Sequence, residues 1–263
     1  MTLTYVSALA GLLLVLIPAY LLYLYDRPAL QKAAVATVRM VVQLSVMGAC
    51  LWAVYSFDRL WLSLLWVVVL VLAATFLMVS RVRSSDASML QEGRKNMGSS
   101  MLFMPVGAAM LVAVLVFSAY VLYAVLRPAA PLSARWLVPV SGVLVAHVMT
   151  TGMQGLRTFF DCLQQDSQPY STLIGNGATR LQALAPYITR ALRALMKPAI
   201  ANMSAMGLFV MPMLLSGLLL GGLSVVEAVV SYVTLALAGV AASVVALLLA
   251  LGLLCRHSQF PMR

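Results

Sequence analysis

The chain has 263 residues, of which 63% are hydrophobic and only 9% are charged, whereas an ordinary soluble domain carries roughly 25% charged residues. This composition excludes a disordered tail and a fibrous repeat, and it predicts a membrane protein with several spans. The three cysteines have no paired spacing, which predicts neither a disulfide framework nor a zinc site. The formal net charge is +10, but the basic residues lie between apolar runs, so we expect no nucleic-acid partner.

Seven apolar segments are long enough to cross a bilayer as helices, which satisfy their own backbone hydrogen bonds in lipid. The first segment lacks the basic start and the short apolar core of a signal peptide, so we expect it to be retained. The sequence thus predicts an all-α transmembrane bundle that forms a single domain over residues 1–263. The seven predicted spans are Tyr5–Tyr25, Val38–Phe57, Leu60–Ser80, Met101–Leu126, Trp136–Leu156, Ala199–Gly222 and Val225–Leu254.

Basic residues orient the predicted spans, because cytoplasmic segments of membrane proteins are enriched in Lys and Arg. With the N-terminus outside, fourteen Lys and Arg residues lie on the cytoplasmic side, and only Arg59, Arg127 and Arg135 lie outside. This bias predicts a multi-pass protein with an outer N-terminus and a cytoplasmic C-terminus.

The largest polar stretch, residues 157–197, falls on the predicted cytoplasmic side and has a clear local pattern. Gly175-Asn176-Gly177 indicates a turn, since all three residues tolerate a positive φ. Thr179 and Gln182 have the spacing of a capping box, so we expect a short helix to start at Thr179. Pro186 fits the first turn of another helix or a kink.

The pattern after Pro186 is amphipathic. Ile188, Leu192 and Leu195 share one helical face, and a second face is basic. One interpretation is an interfacial helix whose basic face contacts lipid headgroups. Another is a docking element for a cytosolic partner, which transmits movement to the membrane. The pattern alone leaves both open; the basic residues are Arg190, Arg193 and Lys197.

Several short motifs occur one after another in the second half of the chain. Gly177-Ala178-Thr179 precedes Arg190-Ala191-Leu192-Arg193-Ala194 and then Pro198. With these motifs the chain resembles the permease subunit of bacterial ABC exporters of the Fet iron-efflux type, whose plant relatives are aluminium-sensitivity permeases. Further similar segments are Val38-Arg39 with Gln43-Leu44, Pro139 to Met149, Gly207-Leu208 with Pro212, Ser216-Gly217 with Gly221, and Glu227-Ala228-Val229.

The resemblance implies a permease of an ATP-driven exporter, which moves a metal ion, above all iron, out of the cytoplasm across the bacterial inner membrane. The sequence contains no P-loop motif, so we expect this chain to bind no cofactor and to be no enzyme. A separate cytosolic ABC ATPase subunit would then bind ATP and magnesium. The resemblance also implies a homodimer of the permease with two ATPases. The residues expected to couple the chain to its ATPase are Gly177, Ala178, Thr179, Arg180, Gln182, Arg190 and Arg193.

Polar and sulfur-bearing residues inside spans are candidates for the transport pathway. Arg39 and Gln43 are one helical turn apart, and either they shape the path or Arg39 extends its head to the cytoplasmic interface. The fifth span adds His147, Met149, Met153 and Gln154. Imidazole and thioether suit soft or borderline metals, so His147 and Met149 are candidate metal ligands. The alternative for the methionines is irregular packing, and the chain has 17 of them. His147 also replaces the Asn of the family pattern.

The residues leave two other functions open. An ATP-independent secondary transporter or channel is expected to show inverted repeats and paired broken helices. A membrane scaffold would anchor a cytosolic partner through residues 177–197 without moving a cargo.

Overall fold

The structure is a computed structural model, and it describes residues 16–25, 27–57, 59–83, 99–127, 132–165, 172–205 and 213–256. Every regular element in these described residues is helical, which confirms the all-α fold class. In chain order the α-helices of eight or more residues are α1 (Leu16–Tyr25), α2 (Arg27–Phe57), α3 (Leu60–Arg83), α4 (Ser99–Tyr120), α5 (Ala134–Gln165), α6 (Arg180–Ala205), α7 (Met213–Leu220) and α8 (Val225–Arg256). A π-helix, Val121–Leu126, continues α4.

Five helical segments of the described chain are long and apolar enough to cross a membrane. They match the second to fifth predicted spans and the seventh. Residues 5–15 of the first predicted span and residues 206–212 of the sixth lie outside the described residues, so the count of seven stays a prediction. The five segments are Arg27–Phe57, Leu60–Val82, Leu102–Leu126, Ala134–Leu163 and Val225–Cys255.

The chain divides into two compact units, residues 1–57 and residues 58–263. In the first unit α1 packs against α2, and the Arg27 guanidinium lies 5.1 Å from the centre of the Tyr23 ring. α2 starts well before Val38, where the predicted span began. Pro28 fits the first turn of a helix, and the alanines that follow are strong helix formers.

The second unit is a bundle of α3, α4, α5 and α8, joined at one end by α6. Each of these helices contributes buried side chains to a core at that end, which we call the lower end: Val82, Leu102, Phe159, Leu184 and Leu251 are members. A second core fills the upper end between α3, α4, α5 and α8 and contains Val67, Val114, Leu144 and Leu235.

The contacts between helices fix their relative directions. A Cβ placed on Gly152 of α5 would lie 3.5 Å from Met78 Cε of α3, and Arg157 of α5 reaches Arg81 of α3, so α3 and α5 run parallel. α8 runs parallel to them as well, whereas α4 and α6 run the other way. The predicted topology requires these directions, because α3, α5 and α8 are the third, fifth and seventh predicted spans and α4 is the fourth.

The middle of the bundle is closely packed. A gap between α3, α4, α5 and α8, lined by apolar residues that include Met78, Met110 and Gly152, has a volume of about 10 Å³. A cavity needs about 10–15 Å³ of this kind of space to hold a single water molecule, and a buried water needs polar partners. This small apolar gap therefore offers no place for a metal ion and its ligands.

Candidate functional site

The turn before α6 depends on a glycine. Gly177 has a left-handed φ of 83°, which glycine adopts without steric cost. Its N–H donates to the Ile174 carbonyl at 3.0 Å, and the Ala178 N–H donates to the Leu173 carbonyl at 3.0 Å. This Schellman pair ends the helical turn at 172–175, and it confirms the predicted turn at residues 175–177.

The predicted capping box is also present. The Thr179 N–H donates to Gln182 Oε1 at 2.9 Å, and the Gln182 N–H donates to Thr179 Oγ1 at 3.4 Å. Two backbone donors that have no partner inside a helix are thus satisfied by side chains. Such a cap stabilises a helix by about 1 kcal/mol, and α6 begins at the next residue, Arg180.

α6 is one helix that continues through Pro186, so no new helix starts there. A proline inside a helix costs about 3 kcal/mol. The side chains on either side of it, Leu184 and Tyr187, are only 2% and 3% exposed, and burial of a large apolar side chain stabilises a fold by about 1.5–3 kcal/mol. Their packing in the lower core offsets the cost of the proline.

Gly155 joins α6 to the bundle. A Cβ placed on Gly155 would lie 2.7 Å from Leu247 Cδ2, 3.2 Å from the Ala191 carbonyl oxygen and 3.4 Å from Leu195 Cβ. Three helices therefore meet closely at Gly155, and a larger residue there would require Leu247 and the Ala191 backbone to shift. α6 packs lengthwise against α5 and α8 through one buried row, which consists of Leu184, Tyr187, Ala191 and Leu195. α6 is therefore part of the bundle, which argues against the interpretation that it is a separate helix in the membrane interface.

The basic residues of α6 lie away from that row. Arg190, Arg193 and Lys197 are exposed, as is Gln182, so a partner can reach this face without disturbing the core. The side chain of Arg180, another predicted coupling residue, lies outside the described side chains.

An arginine ties α5 to α3 at the lower end. Arg157 Nη2 donates to the Arg81 carbonyl at 2.6 Å, which belongs to the last turn of α3. The sequence marked Arg157 only as a cytoplasmic basic residue, and the structure adds this contact.

His147 lies against the backbone of α8. A Cβ placed on Gly239 would lie 2.7 Å from His147 Cδ2, 2.8 Å from Cγ and 3.1 Å from Cβ. The histidine is half-buried and stands near the middle of the apolar segment of α5, about 20 Å from its Ala134 end at 1.5 Å per residue.

Thr150 and Gln154 share the face of α5 that carries His147, because spacings of three and seven residues return to one side of a helix. Both are exposed. Thr150 Oγ1 donates to the Ala146 carbonyl at 2.8 Å, so the hydroxyl hydrogen is used within the helix and the oxygen can still act as an acceptor. The face therefore combines an imidazole, a hydroxyl oxygen and an amide.

Met149 and Met153 lie elsewhere on α5. Met149 packs against the upper core and Met153 against the lower core, as irregular packing predicts. His147 and Met149 are two residues apart and do not face each other, so the structure does not bring this candidate metal pair together. Within the described part of the chain, no three His, Cys, Asp or Glu side chains are grouped as metal ligands.

Arg39 and Gln43 belong to the first unit. They lie one turn apart on α2, and both side chains are exposed. The two residues share one face of α2, as their spacing predicted. Their role in transport stays a prediction.

A second turn of the same construction lies where the sixth and seventh predicted spans meet, and its cap by Glu227 was not predicted from the sequence. Gly222 has a φ of 90°, and the Ser224 hydroxyl lies 2.7 Å from Glu227 Oε2. The Ser224 N–H donates to the same carboxylate at 3.2 Å. The signal was visible as the spacing Ser-x-x-Glu, the same pattern that marks Thr179 and Gln182. The two turns lie at opposite ends of the second unit, because α6 and α8 run in opposite directions.

Comparison with known proteins places these features in a family. The family model described as "Uncharacterised protein family (UPF0014)" matches residues 5–259. A UPF0014 membrane protein of Synechocystis sp. is 26% identical over 184 residues, which are 70% of this chain and 66% of that relative. The match thus spans just under two thirds of that relative's length.

Two named relatives are similar over different lengths. The "Probable iron export permease protein FetB" of Escherichia coli is 24% identical over 224 residues, or 85% of this chain and 80% of that protein. "Protein ALUMINUM SENSITIVE 3" of Arabidopsis thaliana is 28% identical over 99 residues, or 38% of this chain and 36% of that protein. No solved structure matches. On the family match over nearly its whole length, the chain belongs to the UPF0014 family of membrane proteins.

Proposed function

We propose that the chain is the membrane-spanning permease subunit of an ABC exporter in the bacterial inner membrane. A separate cytosolic subunit hydrolyses ATP with magnesium, and two copies of the permease act together as a homodimer. Iron is the proposed cargo, since a relative that aligns with 85% of this chain has iron export in its name.

The observation that carries the proposal is the rigid connection between the Gly177 turn and the core of the bundle. The turn is closed by backbone hydrogen bonds, its capping box starts α6, and Gly155 seats α6 against α5 and α8. A push on residues 177–182 therefore reaches the transmembrane helices through packed contacts. An ATPase needs such a connection if its two states are to favour two states of the permease.

The charges support the orientation that this function requires. Arg81, Arg157, Arg190 and Arg193 all belong to the lower end of the second unit, and cytoplasmic ends of membrane proteins are rich in such residues. With the lower end in the cytoplasm, the exposed face of α6 meets the ATPase, and membrane lipid surrounds the upper part of the bundle.

The face with His147, Thr150 and Gln154 is our candidate for contact with the cargo. Its donors are neutral, so it would hold a divalent metal weakly, as an exporter requires for release. The packed gap of about 10 Å³ between α3, α4, α5 and α8 offers no such place. We expect His147, rather than the Met149 thioether, to meet the ion.

The test compares the two capping boxes. The variant Thr179→Ala with Gln182→Ala removes the lower cap, and Ser224→Ala with Glu227→Ala removes the upper one. Each loss costs about 1 kcal/mol of helix stability, so the two variants are matched. We expect the lower variant to lose most of the iron-stimulated ATP turnover of the complex with its ATPase, and the upper variant to keep it.

Two results would count against the proposal. Equal effects of both variants would mean that residues 177–182 have no special part in coupling. Failure of the wild-type chain to co-purify with any ATPase of its own cell would favour the secondary transporter.

A further inference from the structure

The contact between His147 and Gly239 leaves no room for any other residue at position 239. The distances of 2.7 and 2.8 Å from a Cβ on Gly239 to the imidazole carbons are shorter than real Cβ atoms show. The obstacle is a ring on a short stem, not the far end of a flexible chain. A side chain at position 239 would therefore push the ring away from its place.

The contact uses the carbon side of the imidazole. The three atoms nearest to the Gly239 position are Cδ2, Cγ and Cβ of His147, and no ring nitrogen is among them. Neither ring nitrogen is among the buried polar atoms that lack a partner. The only hydrogen bonds of His147 to other side chains within the described residues are at its carbonyl oxygen, which accepts from Thr150 and Thr151. The ring nitrogens thus stay available at the surface of α5.

We infer that Gly239 is the positioning residue for His147: the bare backbone of α8 forms a notch that holds the carbon edge of the ring and directs its nitrogens to the face with Thr150 and Gln154. A neutral imidazole nitrogen held in this way suits a borderline divalent cation such as ferrous iron. The inference rests on the proposed function for the cargo, but the orientation of the ring can be measured without transport.

The first experiment measures the environment of the His147 imidazole ring directly. The chain has only two histidines, His147 and His257, so a His257→Gln variant labelled with ¹⁵N-histidine gives one imidazole signal by NMR in lipid nanodiscs. In that background we compare Gly239→Ala with Gly252→Ala. Gly252 lies on the same helix, and a Cβ there meets nothing within 4 Å. We expect Gly239→Ala to shift or broaden the His147 signals and Gly252→Ala to leave them in place; unchanged signals in Gly239→Ala would overturn the inference.

A second experiment covers the case in which Gly239→Ala lowers stability. The double variant His147→Ala with Gly239→Ala removes the ring that the new methyl group meets. We expect the double variant to melt at or near the temperature of His147→Ala alone, which shows that the clash is with the ring. A double variant that melts lower by the full effect of Gly239→Ala would place the clash elsewhere and refute the pairing.

Transport assays distinguish a failure of this inference from a failure of the proposed function. With its ATPase in proteoliposomes, we expect Gly239→Ala to raise the KM for ferrous iron at least tenfold, with a smaller change in kcat, and Gly252→Ala to behave as wild type. If His147→Ala exports iron as wild type does, the cargo role of His147 fails. In that case the NMR comparison still decides whether Gly239 positions the ring.

Discussion

Glycines at two helix crossings decide how closely the helices of the second unit approach. Gly155 meets Leu247 and Ala191, and Gly239 meets His147, whereas a Cβ on Gly142 or Gly252 would meet nothing within 4 Å. Small residues let membrane helices come into close contact. Residues of the same type in the same helices thus differ sharply in what a methyl group would cost.

Gly155→Ala is predicted to weaken the packing of α6 against α5 and α8. The methyl group would overlap Leu247 and the Ala191 carbonyl, and such overpacking costs about 1–3 kcal/mol. Gly142→Ala on the same helix is the control, with a gain of up to about 1 kcal/mol expected from helix propensity. Thermal unfolding in detergent measures both; a Gly155→Ala protein as stable as the control would contradict the close crossing.

α6 has one face that packs into the bundle and another that is exposed. Its buried row packs into the lower core, and its basic residues stay exposed. Changes to the exposed face should therefore affect partners and leave the fold intact, since substitutions at such surface positions alter stability by only about 0.5 kcal/mol.

Arg193→Glu tests this separation. We expect its melting temperature to stay within 2 °C of wild type, and its ATPase to bind more weakly and to lose most iron stimulation. Arg135→Glu, an exposed arginine at the start of α5, is the control at the other end of the unit. Co-purification and ATP turnover are the measurements, and equal behaviour of the two variants would remove α6 from the docking surface.

Features formed by residues close in sequence could be predicted, whereas features that depend on contacts between distant residues could not. The Gly177 turn and the cap of Thr179 by Gln182 were readable because all their partners lie within a few residues. The continuity of α6 through Pro186 was not readable, because it depends on Leu184 and Tyr187 reaching a core formed by other helices.

The same limit applies to the candidate site. His147 and Gln154 were found as polar residues in an apolar span, but Gly239 lies 92 positions after His147 in the chain. Its small neighbours Ala238 and Ala242 indicate a close helix crossing, but they do not show which residue Gly239 meets. Only the packed structure shows which glycine faces the ring.

At the scale of the whole molecule, the second unit has two different ends. The lower end holds α6 and its basic residues, and the upper end holds the turn with Ser224 and Glu227. From the positive-inside bias we propose that the lower end lies in the cytoplasm, and the two turns would then lie on opposite sides of the membrane.

Thiol labelling tests that orientation. In a variant with Cys50, Cys162 and Cys255 replaced by serine, single cysteines are placed at the exposed positions Asn176 and Leu220. An impermeant maleimide should label Leu220→Cys in right-side-out vesicles and Asn176→Cys in inside-out vesicles. The reverse pattern would invert the topology, and labelling of both from one side would contradict the opposed ends.

The most direct test of the central claim is ATP-driven iron movement by the purified complex. The chain is reconstituted with its ATPase subunit in proteoliposomes, with the ATPase on the outer surface, and ferrous iron that enters the lumen is measured. We predict uptake that requires ATP, magnesium and the ATPase, and that falls with the Thr179→Ala and Gln182→Ala variant. Iron uptake of equal rate without ATP or without the ATPase would contradict the account.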